Sequence, residues 1–358
     1  MSRGRVFVPG RVGRRSRAAA RWLRLLVPRR RPPGLRVFYG HDRVPGPGEP
    51  AAGGTAKFQK LAARFPNSPH DFNLLYLGSS RLPRDLRPLL WVARRRDACV
   101  VLNQDGVGYP GWAGARTDEV NAPLRRALQG ADHVLYQSEF CKRSADEFLG
   151  TPGGDWEVLY NAIDTERFAP VVAPGDGPVL LLGGDQTQAY RLELGLRTLA
   201  ALLPQQPDAR LLVSGRVVVD AGALLDELDL RDRVELLGRY AQRDAPAIYG
   251  RAHVLLHTKV NDPCPNVVLE AMACGLPVVY PASGGTVELV GDEAGVGVPH
   301  PDGWERDEPP TPEAMAAAVG RVLANLDAVS ATARRRAVER FDLEPWLDRH
   351  GKLFAGLI

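Results

Sequence analysis

Two acidic residues, Asp262 and Glu270, lie eight positions apart in the segment VNDPCPNVVLEAMACGLPVVYPASGG, which covers residues 260–285. Their carboxylates can accept hydrogen bonds from the hydroxyl groups of a bound ligand. Pro265 lies between them and suits the start of a helix, because the N–H that proline lacks would have no partner there. The segment therefore predicts a helix of about ten residues that begins near Pro265, with one carboxylate on either side of its start.

The start of this predicted helix can bind an anion. The amides of Asn266, Val267 and Val268 have no partner within the helix and point outward at the positive end of the helix dipole. A phosphate group fits such a site. Because Glu270 lies one turn further on the same face, a ligand that carries both a phosphate and hydroxyl groups can contact the amides and the carboxylate together.

A buried strand and a glycine turn follow the predicted helix. The run LPVVYPA predicts a strand that is buried on both faces, and Gly284 and Gly285 end it. The run TVELV then opens a second helix, which contains Glu288. A strand, a glycine turn and a helix in this order predict a second group of backbone amides for the same ligand.

The whole segment resembles the nucleotide-sugar site of family-4 glycosyltransferases of the GT-B fold. In that family two glutamates separated by seven residues precede an EAMACGLPVV-like run and a GG-x-x-E turn. Here Glu270 is the second glutamate, Glu288 is the turn glutamate, and Asp262 replaces the first glutamate with a side chain one methylene shorter. The resemblance implies that Glu270 binds the ribose and that Asp262 contacts hydroxyl groups of the donor sugar.

Two stretches of the first half also resemble the family. Gly53 and Gly54 precede the KFQKLA helix and match the glycine pair that lets the backbone approach the donor's phosphate and sugar. A plain turn is the alternative. The stretch VLYNAIDTERFAP matches the passage between the two domains and contains Asn161, which we interpret as structural because turn chemistry explains it.

Two expected features of the family have substitutes in this chain. The loop after ACVVL presents Asp105 where relatives often present a histidine near the reactive carbon of the sugar. Asp105 therefore either binds a donor hydroxyl or helps to take the proton of the acceptor. The alternative is that it belongs to an ordinary Asp-Gly turn. The segment GGDQTQAYRLELG replaces the GR…KG pattern, and Arg191 is the best substitute for its cations, with Lys259 and Arg216 as lesser ones. The alternative for Arg191 is an exposed arginine at a helix start. Such cations are needed if no metal stabilises the departing diphosphate.

Length and composition agree with a protein of about two domains, since the chain has 358 residues. No apolar run approaches the roughly 20 residues that span a bilayer. The four cysteines show no paired short spacing, which predicts free thiols in a reducing cytoplasm. The run HVLLH lacks the glutamate of a zinc helix and predicts a buried strand, so no metal site is expected.

The positive charge of the chain belongs to an N-terminal arm. Twelve of the 46 basic residues and none of the 42 acidic residues fall in the first 36 positions. Residues 14–31 place Trp22 and several leucines among arginines, a pattern compatible with a short helix on an anionic membrane. The chain-wide excess of arginine favours the alternative, a disordered or wrongly assigned start. Nucleic acid is not an expected partner.

From Leu35 onward, strands alternate with helices, which predicts an α/β fold. We expect two Rossmann-like doubly wound domains that face each other across a cleft, the GT-B fold, with ligands at the carboxyl ends of the strands. The predicted parts are a basic arm (1–34), an acceptor domain (35–170), a nucleotide-sugar domain (171–335) and a C-terminal helix that crosses back to the first domain (336–358).

The resemblance implies a hexosyltransferase-like enzyme of glycan, glycoconjugate or polysaccharide biosynthesis. It would move a sugar from a UDP- or GDP-linked donor to a hydroxyl of an acceptor glycan or lipid-linked glycan, with retention of configuration and with no metal or other cofactor. We expect it in the cytoplasm or peripherally on the inner face of the membrane. The alternatives are a nucleotide-sugar epimerase, which has a similar two-domain fold, and a non-catalytic nucleotide-sugar-binding protein.

The predicted site residues fall into two groups. The catalytic group is Asp105, Asp262 and Arg191, and the donor-binding group is Gly53, Gly54, Lys259, Asn266, Val267, Val268, Glu270, Gly284, Gly285 and Glu288.

Overall fold

The computed structural model of the chain describes residues 33–46, 49, 53–170, 175 and 177–358. The arm segment 14–31 and most of residues 171–177, which follow the predicted domain boundary, lie outside the described residues. The described chain forms an α/β structure with two parallel sheets, one of five strands and one of six.

The first sheet has the order β1-β2-β3-β4-β5, so its strands follow one another as they do in the chain. Helices cover both faces, which favours continuous apolar strands over alternating ones. The strand Leu74–Gly78 is buried at every position. The elements of this half are β1 (Val37–Phe38), α1 (Gly54–Arg64), β2 (Leu74–Gly78), α2 (Leu86–Arg95), β3 (Cys99–Gln104), α3 (Pro110–Ala113), α4 (Thr117–Gly130), β4 (His133–Tyr136), α5 (Glu139–Phe148) and β5 (Asp155–Val158).

The second sheet has the order β11-β10-β9-β6-β7-β8. Its elements are β6 (Val179–Leu182), α6 (Ala189–Leu202), β7 (Arg210–Ser214), α7 (Gly222–Glu227), β8 (Val234–Gly238), α8 (Ala245–Tyr249), β9 (Val254–Leu256), α9 (Asn266–Ala273), β10 (Val278–Pro281), α10 (Thr286–Val290), β11 (Gly295–Val298) and α11 (Pro312–Leu323). The strand order reverses between β6 and β9. In open parallel sheets, ligands bind outside the carboxyl ends of the strands at such a switch point.

Two C-terminal helices connect the halves. Helix α12 (Leu326–Phe341) packs into the core of the second half, whereas α13 (Leu343–Leu357) packs against the first sheet. Within α13, Phe354 contacts the ring of Tyr76, a residue of β2. The chain therefore crosses between the halves at Asp342, and the boundary predicted at residue 336 falls inside α12.

The observed elements are shorter than the runs that predicted them. The run LRVFYGHD forms a strand only at Val37–Phe38. The strand Gly295–Val298 was not predicted, because its sequence GVGV alternates valine with glycine, which is depleted in strands. Position 295 requires glycine for steric reasons, since a Cβ on Gly295 would lie 2.0 Å from the carbonyl oxygen of Val278 on the paired strand β10.

The described residues also bear on membrane spanning and on the state of the cysteines. No single described helix has both the length and the apolar composition needed to cross a membrane, although α11 and α12, bent by 92° at their junction, pass that test as a pair. The cysteines at positions 99, 141, 264 and 274 are free thiols, as predicted.

Candidate functional site

The predicted site lies at the switch point of the second sheet, where β6 and β9 are neighbours. Strand β6 ends at Leu182 and is followed by Gly183 and Gly184, both of which lie against Val267 in the first turn of α9. Gly184 has a φ of 83°, and the next turn packs so closely that a Cβ on Gly215 would lie 2.5 Å from the Gly184 backbone. The position that carries arginine in the resembled family is therefore a glycine turn.

Helix α9 begins at Asn266 and has eight residues, somewhat fewer than predicted. Pro265 precedes the helix with a φ of −70° and a ψ of 119°, so it is the capping residue and not the first helical residue. The Val268 amide donates to the Pro265 carbonyl at 3.1 Å. Among the described residues, the amides of Asn266 and Val267 have no recorded acceptor. Two of the three predicted amides are thus available to a ligand.

Glu270 is 7% exposed and is held by two side chains. The Tyr249 hydroxyl donates to one carboxylate oxygen at 2.7 Å, and the Gln242 amide donates to the other at 2.9 Å. Burial raises the pKa of Glu270, while the hydrogen bonds from Tyr249 and Gln242 oppose that rise. Because a carboxylate offers about four lone-pair sites, the oriented group can accept further hydrogen bonds from a ligand.

Asp262 lies beside two basic side chains. The Lys259 ammonium is 3.3 Å from one carboxylate oxygen, and the His257 Nε2 is 3.4 Å from the other. Burial acts to raise the pKa of Asp262, but Lys259 and His257 outweigh it and hold the pKa below its ordinary value. Asp262 is therefore an ionised acceptor at neutral pH.

Arg191 lies in the first turn of α6 and is buried. One of its guanidinium nitrogens donates to the Asp185 carbonyl at 2.7 Å. Burial lowers the pKa of Arg191, and the nearby Asp262 opposes that shift. Arg191 thus fixes the loop after β6 and adds positive charge near Asp262.

The Gly284–Gly285 turn packs against the loop that carries Asp262. The Gly285 amide donates to the Asp262 carbonyl at 2.9 Å, and a Cβ on Gly285 would lie 1.9 Å from the Pro263 carbonyl oxygen. Gly284 has a φ of 68°. The glycines are required by this close approach of two loops. Since the Gly285 amide is engaged there, the predicted second group of ligand-binding amides is not available at that residue.

Glu288 connects the two halves. Its carboxylate accepts hydrogen bonds from the Glu139 and Phe140 amides, both at 2.8 Å, and from the Tyr160 hydroxyl at 3.0 Å. The two amides are the first of α5, where the helix dipole favours an anion. All three donors belong to the first half, so Glu288 forms an interdomain contact. Its predicted role in donor binding stays a prediction.

The glycine pair of the first half begins α1. Gly53 has a φ of 54° and open space around it, whereas a Cβ on Gly54 would lie 2.8 Å from the Ser80 hydroxyl oxygen. Both positions thus favour glycine, the first for its backbone conformation and the second for its close neighbour. Neither observation requires a ligand.

Asp105 lies at the end of β3 and is tied to the end of β2. Its carboxylate accepts a hydrogen bond from the Ser79 hydroxyl, and its amide donates to the Ser79 oxygen at 2.9 Å. The neighbouring Gly106 lies against Pro263, because a Cβ there would be 2.8 Å from the Pro263 ring. The structure therefore brings the Asp105 loop and the Asp262 loop together across the cleft.

Two lysines of α1 also reach the cleft and were not predicted. Lys57 is 8% exposed and donates to the side-chain oxygen of Asn103, and Lys60 donates to the Ala162 carbonyl at 2.5 Å. Both line one cavity together with Asn266. A signal was present in the sequence, because the chain has only five lysines among its 46 basic residues and two of them follow the Gly53–Gly54 pair at helical spacing.

A chain of buried amides runs from the first half to the second. The Asn103 oxygen accepts from Gln137 at 2.8 Å, and the Gln137 oxygen accepts from Asn161 at 2.8 Å. Asn161 also donates to the Cys264 carbonyl at 3.0 Å. Asn161 is thus structural in this arrangement, and the network fixes the ends of β3 and β4 against the α9 loop.

Over the described part of the chain, no group of three or more His, Cys, Asp or Glu side chains is arranged to hold a metal. The two histidines of HVLLH flank β9, which is the buried strand that the sequence predicted. Independence from metals remains a prediction.

Comparison with known proteins matches residues 177–325 to the family model described as glycosyl transferases group 1. The gpi3 subunit of the Schizosaccharomyces pombe phosphatidylinositol N-acetylglucosaminyltransferase is 25% identical over 186 residues, which are 50% of this chain and 40% of that protein. The GDP-mannose-dependent alpha-(1-6)-phosphatidylinositol monomannoside mannosyltransferase of Mycolicibacterium smegmatis is 27% identical over 302 residues, which are 77% of this chain and 73% of that protein. The chain spans about half the length of the first curated relatives it matches.

Among solved structures, Anabaena Alr3699/HepE in complex with UDP aligns with a TM-score of 0.62 at 17% identity, covering 84% of this chain and 81% of that one. This likeness, with the two parallel sheets, confirms the predicted GT-B fold.

Proposed function

We propose that this family-4-like glycosyltransferase of the GT-B fold transfers a sugar from a nucleoside diphosphate carrier to a hydroxyl group of an acceptor. One observation carries the proposal. The buried carboxylate of Glu270 is oriented one turn from the available amides of Asn266 and Val267, at the switch point of the second sheet. A nucleoside diphosphate has an anion for the amides and ribose hydroxyls for the carboxylate.

The remaining predicted residues have roles that fit this ligand. We assign the ionised Asp262 to hydroxyl groups of the donor sugar, because it lies before the helix start while Glu270 lies after it. Asp105 approaches the same loop from the first half. We assign it to the reaction centre, where it contacts the sugar or takes the acceptor proton.

Retention of configuration and independence from metals are further parts of the proposal, and the resemblance supports them. Without a metal, the charge that develops on the departing diphosphate has to be stabilised by protein cations and by the helix start. The cationic side chains near the site are those of Arg191, Lys259, Lys57 and Lys60, and none of them belongs to a GR…KG pattern.

The proposed donor is a UDP- or GDP-linked hexose. The mannosyltransferase of M. smegmatis is named as GDP-mannose-dependent, and HepE was solved with UDP, so the relatives support both nucleotides. The proposed acceptor is a glycan or a lipid-linked glycan. We propose a cytoplasmic protein that contacts the inner face of the membrane peripherally through residues 14–31, which lie outside the described residues.

A thermal-shift screen against UDP-, GDP- and dTDP-sugars tests the proposal, followed by transfer assays with the stabilising donor. We expect one nucleotide sugar to raise the melting temperature of the wild type and of the surface control Glu339→Gln, but not of Glu270→Gln. No stabilisation by any nucleotide sugar, or equal stabilisation of Glu270→Gln, would refute the site. Conversion of the donor without an acceptor would indicate an epimerase, and stabilisation without transfer or hydrolysis would indicate a binding protein.

A further inference from the structure

We infer that Asp307 is a positioning residue that holds the Asp105 loop of the first domain against the second domain. It lies in a segment between β11 and α11, residues 303–307, which we call the strap. This inference rests on the proposed function, because it concerns the geometry of the same reaction centre. The strap itself lies outside the predicted site residues.

An aromatic side chain attaches the strap to the first domain. Three first-domain rings have centroids within 5.4 Å of the Trp304 ring, those of Tyr109, Phe140 and Phe148. Tilted and edge-to-face arrangements of this kind are favourable for aromatic pairs. The carbonyl of Trp304 also accepts a hydrogen bond from the Gly111 amide at 2.7 Å. A segment of the second domain is therefore seated on the first domain.

The carboxylate of Asp307 joins two loops of the proposed reaction centre. One oxygen accepts a hydrogen bond from the Tyr109 hydroxyl at 2.9 Å, and the side-chain amide of Gln188 lies 3.4 Å from the other. Burial raises the pKa of Tyr109 and the neighbouring Asp307 raises it further, so the hydroxyl keeps the proton that it donates. Tyr109 follows Asp105 by four positions, and Gln188 precedes Arg191 by three. Asp307 thus fixes these two loops relative to each other.

The strap also contacts the loop that carries Asp262. The side-chain amide of Asn261 donates to the Gly303 carbonyl at 3.2 Å. Asn261 is buried and has a φ of 52°, a backbone conformation that few residues other than glycine adopt. The strap is therefore in contact with the loops of Asp105, Arg191 and Asp262, the three residues of the predicted catalytic group.

The strap and the first domain approach each other so closely that no side chain fits between them. A Cβ on Gly111 would lie 2.9 Å from backbone atoms of Arg306. Alanine at position 111 would therefore push the strap away from Tyr109. This substitution displaces the carboxylate of Asp307 without deleting it, and it gives a second, independent way to test the contact.

Other contacts hold the domains together independently of the strap. Glu288 accepts from the first amides of α5, and Asn161 donates to the Cys264 carbonyl. Loss of the Asp307 contacts should therefore loosen the Asp105 loop without separating the domains. The effect is expected in the chemical step, because reactive geometry is sensitive to small displacements. The affinity for the nucleotide should persist, because the second domain holds it.

Hydrogen exchange tests the positioning role without an activity assay. Protection is compared in peptides that cover residues 105–113 and in peptides that cover α9. The variants are Asp307→Ala, Asp307→Asn and Gly111→Ala, and the matched control is Asp302→Ala, which removes an exposed aspartate just before the strap.

We expect Asp307→Ala and Gly111→Ala to lower the protection of residues 105–113 by at least about tenfold, because a charge-assisted hydrogen bond is lost or displaced. Protection of α9 should stay unchanged. Asp307→Asn should give an intermediate value, since its side-chain oxygen can still accept from the Tyr109 hydroxyl. Protection of residues 105–113 equal to that of the control in both variants would overturn the inference.

Transfer kinetics test the consequence for the reaction. With the UDP- or GDP-sugar that stabilises the wild type, kcat of Asp307→Ala and Gly111→Ala should fall by at least about tenfold. Affinity for UDP or GDP, measured by calorimetry, should stay within about twofold. Asp307→Asn should recover part of kcat. A lower melting temperature at unchanged kcat would make the strap purely structural, and a kcat above that of the wild type would make it an obstruction; either result would overturn the inference.

The outcomes separate this inference from the proposed function. If the wild type transfers no sugar, the proposed function and the positioning role both fail. If the wild type transfers sugar, Glu270→Gln loses nucleotide binding and the Asp307 and Gly111 variants keep both protection and kcat, only the positioning role fails.

Discussion

The hydroxyl of Tyr249 donates a 2.7 Å hydrogen bond to the carboxylate of Glu270, and both groups are buried. Tyr249 ends α8 and Glu270 lies in the middle of α9, so the bond joins two elements around the site. It fixes the direction of a carboxylate that would otherwise have several rotamers available. We therefore expect Tyr249 to be a positioning residue for the nucleotide.

Substitution of this tyrosine tests that role. We expect Tyr249→Phe to weaken nucleotide-sugar binding by about three- to tenfold, because Glu270 loses one of its two orienting donors. Titration calorimetry with the preferred nucleotide sugar measures the change. An affinity equal to that of the wild type would show that Gln242 alone is sufficient.

The interdomain contact of Glu288 gives a second prediction. Glu288→Ala should lower the free energy of unfolding by about 1–2 kcal/mol, because the first amides of α5 and the Tyr160 hydroxyl lose their acceptor. Donor affinity should stay within about twofold. Urea unfolding and calorimetry measure the two quantities, with exposed Glu293→Ala as the control. Loss of donor affinity at unchanged stability would instead favour the role that the resemblance implied.

The attachment of α13 gives a prediction about pH. His350 is fully buried, its Nδ1 donates to the Trp346 carbonyl, and its Nε2 accepts from the Tyr76 hydroxyl at 3.1 Å. Burial lowers the pKa of His350 to about 4, below its value of about 6.5 in an unfolded chain. The unfolded state therefore binds more protons between these values, so stability is lost as the pH falls through this window.

This linkage has a measurable size. Between pH 7 and pH 5 the free energy of unfolding should fall by about 2 kcal/mol through this one histidine. Urea unfolding at the two pH values measures the change in the wild type and in His350→Gln. Over this interval the free energy of unfolding should fall by about 2 kcal/mol less in the variant than in the wild type. An equal fall in both proteins would mean that His350 does not contribute.

Asp105, which we propose at the reaction centre, is the residue whose role the sequence left most open. We expect Asp105→Asn to lower kcat by about a hundredfold at unchanged donor affinity, because the amide still accepts the Ser79 hydroxyl bond but cannot take a proton. Steady-state transfer kinetics measure both constants. Turnover equal to that of the wild type would leave Asp105 as a turn residue only.

The sequence predicted the parts of the site that depend on local order. The α9 start, the carboxylates of Asp262 and Glu270, and the buried strand of the LPVVYPA run all follow from proline, glycine and apolar patterning within a short segment. These local patterns predict the structure correctly because few contacts with distant parts of the chain change the conformation of this segment.

The parts that depend on distant contacts could not be predicted in this way. Glu288 faces α5 only because the two domains meet there. Position 285 requires glycine because the loop that carries Asp262 packs against it and leaves no room for a side chain. Likewise, Lys57 and Lys60 reach Asn266 from a different domain. Nothing in the local sequence around these residues specifies which chain segment lies opposite them.

A structure of the protein in complex with the nucleoside diphosphate that it prefers is the most direct measurement of where the donor binds. We expect phosphate oxygens within hydrogen-bond distance of the Asn266 and Val267 amides and the ribose hydroxyls on the Glu270 carboxylate. A nucleotide bound elsewhere on the chain, or one whose ribose makes no contact with Glu270, would contradict the proposed site.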